Sequence, residues 1–458
     1  IIKDQISTVS NQQTSKNSLT TIPRSQHQLS RKSISEAALK VLYRLSGEGY
    51  RACLVGGGVR DLLLDRKPKD FDIATDATPE QIHGLFRNSR IIGRRFRLVH
   101  IRYGREVIEV ATFRSHTDDS PKNELSTEGR ILRDNTYGDI EDDALRRDFT
   151  INAMYYDIDG FSLLDYANGL ADIESRTLRL IGDPVTRYQE DPVRMLRAVR
   201  FAAKLDFSIE ESAAEAIFEC GPLLAGVPSA RLFDEAVKLF HSGQATRVLE
   251  LLRTYNLLQY LFPALDEILI DEPSELMLDF IDQALVNTDA RINSGQHVSP
   301  AFIFASLLWP AVHKQAQHIQ SDQLKMVPAL AQAGNDVMSW QIKHISIPRR
   351  YSQMAKDIWT NQPKFHRTQG KQPTRLHGHP SFRAAYDFMC LQTMVGLMPV
   401  HLCHWWTEFQ KNNTAPVVER HASEYAKPRP RRRRKPVGQS GKSASNNSSS
   451  NNTKPNDS

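Results

Sequence analysis

The chain has 458 residues, 59 Lys and Arg against 53 Asp and Glu, and a formal net charge of +6; it is too long for one ordinary core, so two to four domains are expected. The charge is unevenly placed: Lys427 to the C-terminus carries +8, which leaves the remainder near −2. Cys53, Cys220, Cys390 and Cys403 lie far apart, which argues against a disulfide framework or a paired-CxxC zinc site and fits a reducing cytoplasm. No apolar run reaches the roughly twenty residues of a membrane helix, and the polar N-terminus has no secretory core.

In chain order, residues 1–30 are polar and aperiodic and read as disordered. Ser33 or Ser35 offers an N-cap to an amphipathic helix carrying Ala37, Ala38, Val41, Leu42 and Leu45, which ends near Gly47 or Gly49. Ala52–Val55 reads as a short buried strand, followed by a glycine turn and a helix over Val59 to Leu64. Phe71–Ala74 is a further strand, and Thr78-Pro79-Glu80 starts a helix with proline in its first turn. Strands are predicted near Leu98–Arg102 and Glu106–Thr112, a mobile polar loop over Ser115–Arg130, and a hairpin of 151–158 with 161–165 closed over Asp159-Gly160. Beyond about residue 185 the strands stop. Helical periodicity takes over at Pro192–Leu205, Ser212–Phe218, Ala230–Phe240, Ala245–Tyr255, Pro300–Leu308 and Phe382–Leu397, with an irregular connection over Asn361–Pro380. From about Asn412 the chain is low-complexity and arginine-rich.

Chemistry concentrates in Leu54-Val-Gly-Gly-Gly-Val-Arg-Asp61 and Asp70-Phe-Asp72. Glycines after an apolar strand expose backbone N–H groups that can cradle a triphosphate. Aspartates two apart on a strand share a face and repel, which favours a cation between them. Hard oxygens at that spacing suit Mg²⁺, the ion a triphosphate brings. Phosphate cradle plus paired carboxylates reads as nucleotidyl transfer with two metal ions. Glu109, on a strand of β-formers, is a possible third carboxylate. Asp148 is the other candidate, with the adjacent guanidiniums of Arg146 and Arg147 expected to hold it ionised and to reach phosphate. Asp191, Arg194 and Arg197 recur every third residue at a helix start and offer the acceptor and donors that reading a base edge requires. Arg60 and the strip Gly93-Arg-Arg-Phe-Arg-Leu98 could each meet phosphate. His401-Leu-Cys-His404, followed by two tryptophans, reads as helix core or surface rather than as a zinc site. Arg429, Arg431, Arg432, Arg433, Arg434 and Lys435 can bind RNA backbone without sequence preference.

The runs LVGGGVRDLLL, KDFD, IEVATFR, RRDFTIN and EDPVRMLRAVRFAAKL resemble the motif series of class II nucleotidyltransferases, which include bacterial poly(A) polymerases and CCA-adding enzymes. The likeness runs from about residue 31 to 260 and continues less distinctly to the basic tail. Within the family the chain looks most like the bacterial poly(A) polymerase I branch, on GRRFRL, Pro23-Arg-Ser-Gln-His27 and the Arg-rich extension. The resemblance implies an α+β fold: a small mixed-sheet nucleotidyltransferase head (31–185), a nucleotide- and RNA-binding helical neck (186–270), a helical body and tail (271–411) and a disordered RNA-binding extension (412–458). It implies Gly56, Gly57 and Arg60 at the triphosphate, Asp70 and Asp72 as metal-binding catalytic carboxylates, Arg147 and Asp148 at the ribose and active site, and Asp191 with Arg194 reading the base. It also implies Mg²⁺ or Mn²⁺ as cofactor and ATP as substrate. The expected partners are RNA 3′ ends of messages, small RNAs and decay intermediates, with RNA chaperones and RNA-decay proteins. A CCA-adding activity shares every head motif, and an inactive RNA-binding adaptor is the reading of another class.

Overall fold

The computed structural model describes residues 19–93, 97–115, 124–125, 131–133, 137–271, 274–321 and 325–413, all within one unit that ends at Pro416. Its N-terminal half is built on an eight-stranded sheet. The strands are β1 (Thr20–Ile22), β2 (Ala52–Val55), β3 (Asp72–Thr75), β4 (Ser89–Ile92), β5 (Leu98–Tyr103), β6 (Glu106–Thr112), β9 (Met154–Asp157) and β10 (Leu163–Asp165), and a separate hairpin joins β7 (Glu124–Leu125) to β8 (Ile131–Arg133). Their order is β1-β10-β9-β2-β3-β6-β5-β4, with only β3 and β6 parallel. The central strand β2 is buried along its whole length, as an unbroken Ala-Cys-Leu-Val run requires of a strand covered on both faces.

Helices cover the sheet. In α1 (Glu36–Gly47) the Ser35 hydroxyl accepts the Ala38 N–H at 3.1 Å, and the predicted stripe Ala37, Ala38, Val41, Leu42, Leu45 is buried. Gly56, at φ +69°, turns the chain from β2 into α2 (Gly57–Leu63), so that helix starts two residues earlier than expected. In α3 (Pro79–Leu85) Thr78 and Gln81 form a capping box. The helices α4 (Ile140–Leu145) and α5 (Gly169–Glu174) complete this half.

The remainder is helical: α6 (Pro184–Glu190), α7 (Val193–Leu205), α8 (Glu211–Cys220), α9 (Ser229–Phe240), α10 (Ala245–Thr254), α11 (Leu258–Leu261), α12 (Pro263–Ile270), α13 (Glu275–Asn293), α14 (Pro300–Ser321), α15 (Met326–His344), α16 (Arg349–Asn361), α17 (Gln372–His377), α18 (Phe382–Met394) and α19 (Val400–Asn412). One two-residue parallel pairing persists, β11 (Thr177–Leu178) with β12 (Ser208–Ile209), so the strands do not stop entirely at 185. No described helix is long and apolar enough to cross a membrane.

Three expectations are corrected. Residues 19–30 are ordered: β1 pairs with β10, and the His27 ring Nε2 lies 3.0 Å from the Phe161 carbonyl oxygen. Helix α14 continues through Pro310, because Phe304, Leu308, Val312 and Ala316 bury one i+4 stripe whose packing outweighs the lost backbone bond. The helical hairpin α18–α19 brings Cys390 and Cys403 together as a disulfide, with Cα atoms 5.0 Å apart. The connection 361–380 holds a 3₁₀ turn, Gln362–His366, and α17. Residues 1–18, 116–123 and 126–130 of the proposed disordered start and mobile loop, residues 94–96 of the basic strip, and the tail from 414 lie outside the described residues.

Candidate active site

The candidate site forms where the glycine turn meets the start of β3 and the middle of β6. A Cβ placed on Gly56 would sit 3.8 Å from Asp72 Oδ2 and 3.5 Å from Arg147 Nη1, so the turn passes between a carboxylate and a guanidinium. Asp72 opens β3, and parallel register sets it beside Glu109 of β6. Asp70, just before the strand, is exposed, while Phe71 turns into the core at 8% exposure. Burial first, then the Glu109 charge and, against the pull of Arg147, that of Asp70 push the Asp72 carboxyl up to about 6. Glu109 Oε1 also lies 3.0 Å from His100 Nε2. Among the described residues no three His, Cys, Asp or Glu side chains close into a finished ligand cluster. Even so, a buried Asp72 carboxylate that feels the charges of Glu109 and Asp70 suits a divalent cation, whose charge would offset that repulsion.

Arg147 is held rigidly. Its Nη2 donates to Asp143 Oδ2 at 2.9 Å and its Nε to the Tyr155 hydroxyl at 2.8 Å, while Tyr155 donates to Asp143 at 2.6 Å. Burial alone would lower the Arg147 pKa, but Tyr155 and Asp143 keep it above its ordinary value. Behind it, burial and then Arg114, Arg147 and Arg187 bring Arg146 down to about 9, which marks a dense store of positive charge.

Asp148 differs from the sequence expectation. Its partner is not the neighbouring Arg146 or Arg147 but Arg197 of α7, whose Nε donates to Oδ2 at 2.7 Å. Asn152 Nδ2 and the Phe149 N–H, at 3.3 and 2.9 Å, serve Oδ1. Burial opposes ionisation, yet Arg197 and these donors bring Asp148 down to about 2. Arg60 also differs. It is 3% exposed and lies under Gly57, donating to Asp61 at 2.9 and 2.6 Å and to Asn152 Oδ1 at 2.7 Å. It braces the turn from beneath.

Asp191 and Arg194 flank the α6–α7 junction without touching through their side chains. Arg231 of α9 donates to Asp191 Oδ2 at 2.7 Å, and Arg194 Nη1 donates to Glu190 Oε2 at 2.7 Å. Arg187, Glu190 and Arg231 were not singled out from the sequence. The first two are visible as an i, i+3 pair on α6, but nothing local points to Arg231, forty residues from its partner. His401 and His404 ride on α19, where Trp406 is buried and Cys403 is in the disulfide. Arg429, Arg431, Arg432, Arg433, Arg434 and Lys435 lie outside the described residues.

Three family descriptions match in succession: "Poly A polymerase head domain" over residues 52–179, "Probable RNA and SrmB- binding site of polymerase A" over 206–269, and "Polymerase A arginine-rich C-terminus" over 322–437. Poly(A) polymerase I of Salmonella typhi is 48% identical over 399 residues, 86% of each chain. The chain belongs to the bacterial poly(A) polymerase I family. It is a polynucleotide adenylyltransferase, with the mixed-sheet head and helical remainder of nucleotidyltransferases. The CCA-adding enzyme of Lactobacillus helveticus is 39% identical, but over only 46% of this chain and 52% of its own. The solved Bacillus stearothermophilus CCA-adding enzyme in complex with CTP superposes with a TM-score of 0.56 at 25% identity, covering 83% of this chain and 82% of that one.

Proposed function

We propose that this enzyme adds AMP from ATP to RNA 3′ ends without a template, at a site made by Asp70, Asp72 and Glu109 beside the Gly56–Gly58 turn. The observation that carries the reaction class is the register of Asp72 with Glu109 next to a glycine turn flanked by Arg147. The choice of ATP over the CTP-then-ATP sequence of a CCA-adding enzyme is supported by likeness to poly(A) polymerase I over 86% of both chains.

In this reading Gly57 and Gly58 present backbone N–H groups to the triphosphate, and Arg147, kept cationic by Asp143 and Tyr155, faces the negative charge that grows at the reacting phosphorus. Asp148 acts through Arg197, fixing that arginine at the junction of head and neck, while Asp191 and Arg194 read the adenine edge. The RNA 3′ oxygen forms a bond to the α-phosphorus as the bond to the pyrophosphate oxygen breaks. Asp70 and Asp72, with Glu109 beside them, would hold two Mg²⁺ or Mn²⁺ ions. Bound there, such ions ease deprotonation of the 3′-hydroxyl and neutralise the leaving pyrophosphate. Adenylated 3′ ends would feed cytoplasmic RNA decay.

The test is extension of a labelled, unstructured RNA primer with Mg²⁺ and each nucleotide separately. A long ladder with ATP alone is expected, with Asp70→Ala and Asp72→Ala slower by about 10³-fold or more. One or two additions that need CTP before ATP would replace the reading with tRNA end repair. No incorporation at all would favour an adaptor.

A further inference from the structure

The two base-reading side chains are held by residues outside the pair, and one of those holders reaches back into the head. Arg187 of α6 is 7% exposed. Its Nη2 donates to the backbone carbonyls of Arg146 and Arg147, at 2.7 and 2.8 Å, and its Nη1 donates to Glu190 Oε2 at 2.6 Å. The same Glu190 oxygen accepts from Arg194 Nη1 at 2.7 Å, and that Nη1 also donates to the Arg187 carbonyl at 2.7 Å. The Nε of Arg187 is buried without a hydrogen-bond partner, so its fork is positioned by the head carbonyls and Glu190.

We propose that Arg187 is a positioning residue for nucleotide choice: by gripping the carbonyls of Arg146 and Arg147 while bridging through Glu190 to Arg194, it fixes the base-reading arginine of the neck against the catalytic head. This rests on the reading of Asp191 and Arg194 as the base-recognition pair. The geometry favours positioning over bulk stabilisation. A buried guanidinium costs desolvation that an apolar residue would avoid, whereas a planar fork spanning two carbonyls and a carboxylate fixes distance and angle together. Lysine cannot copy it, since a single ammonium is a point donor without the fork's plane. A base edge is discriminated by donors held within a fraction of an ångström, so a slackened Arg194 loses selectivity before it loses chemistry.

The test is primer extension by Arg187→Lys, Glu190→Gln and Arg194→Ala, measuring kcat and KM for ATP and CTP separately, with KM for the RNA primer and thermal melting alongside. The expected result for Arg187→Lys is a KM for ATP raised about tenfold, the worth of one charge-assisted hydrogen bond. The ATP-over-CTP preference should shrink by a similar factor, with primer KM unchanged. Glu190→Gln, whose amide oxygen is a weaker acceptor for two guanidiniums, should move the preference in the same direction, and it serves alone if Arg187→Lys does not fold. If the folded variants lose activity equally for both nucleotides, or keep the full preference while Arg194→Ala abolishes it, the relay is refuted and base reading stands. If Arg194→Ala keeps the preference, base reading itself fails, and the relay with it.

Discussion

The ion pair between Asp148 and Arg197 invites a quantitative test, because the sequence suggested a catalytic carboxylate and the structure gives it a partner on another element. Asp148 is 12% exposed in its side chain and Arg197 33%. A carboxyl held at about 2 instead of 3.8 has its ionised form favoured in the fold by roughly 2.5 kcal/mol, and partial exposure of Arg197 trims this to about 2. Asp148→Asn should therefore cost about 2–3 kcal/mol at pH 7, since it also leaves the Arg197 charge in a half-buried place without its partner. The sign with pH follows from the depressed value. The contribution is complete above the unfolded carboxyl range, near pH 4–5, and is lost as pH falls toward 2. About half of it should be gone by pH 3. The assay is denaturant unfolding of the parent, Asp148→Asn, Arg197→Gln and the double variant at pH 7, 5 and 3. A pH 7 cost below about 0.5 kcal/mol, a cost unchanged between pH 5 and 3, or strictly additive single variants would refute the assignment.

Asp72 predicts the opposite dependence. A carboxyl pushed up to about 6 costs stability as pH rises from about 4 to 6, so Asp72→Asn in chelator should melt higher than the parent at pH 8, not at pH 4, while losing activity; Mg²⁺ should narrow the gap by stabilising the parent alone. Burial pushes the Cys53 thiol up to about 12, and Cys220 is also buried, so alkylation of the native chain should modify no thiols before reduction and only Cys390 and Cys403 after it, read by intact mass. Truncation after Asn413 should flatten the salt dependence of RNA binding by a slope of up to roughly 4, from the six cations among Arg429–Lys435, with turnover on saturating primer little changed. An unaltered slope would remove the tail from RNA binding.

Local signals were legible where one residue decides the outcome. Ser35 caps α1, Thr78-Pro79 starts α3, and Gly56 takes the positive φ that lets β2 turn sharply into α2. Spacing alone suggests Asp70 and Asp72 on one strand face, but β3 starts only at Asp72, and the register that sets Glu109 beside it is not disclosed by the sequence of β6. Helix α15 is hard to read in the sequence for a related reason. Gly334 weakens its helical pattern, yet a Cβ there would come within 2.9 Å of the Trp359 ring of α16, so the glycine serves close helix packing. Cys390 and Cys403 lie thirteen positions apart with no local pairing signal, and only the antiparallel hairpin brings them together. Asp148 has two arginines beside it in sequence, but Arg197, forty-nine positions away, has the better geometry.

That displacement from local to distant partners has a common cause at the seam between the head and helices α6 and α7. Apolar packing already binds the two layers: Phe149 of the head meets Phe201 of α7 edge to face at 5.6 Å, and residues of both layers belong to one hydrophobic cluster. Cohesion therefore does not require the charges that cross the seam. Yet Arg197 reaches Asp148, Arg187 reaches the carbonyls of Arg146 and Arg147, and the Arg60 guanidinium lies 5.1 Å over the Phe201 ring while binding Asn152. Buried ionic contacts are inefficient as glue, since desolvation cancels much of their attraction, but they are strongly directional. Apolar burial is non-directional, whereas a guanidinium fork fixes distance and angle together. The division of labour follows: the hydrophobic contacts keep α6 and α7 on the head, and the arginines fix where on the head they sit. In the reading proposed above, with the triphosphate at the β2–α2 turn and the base at α6–α7, that placement would set the distance between the triphosphate and the base of one bound nucleotide.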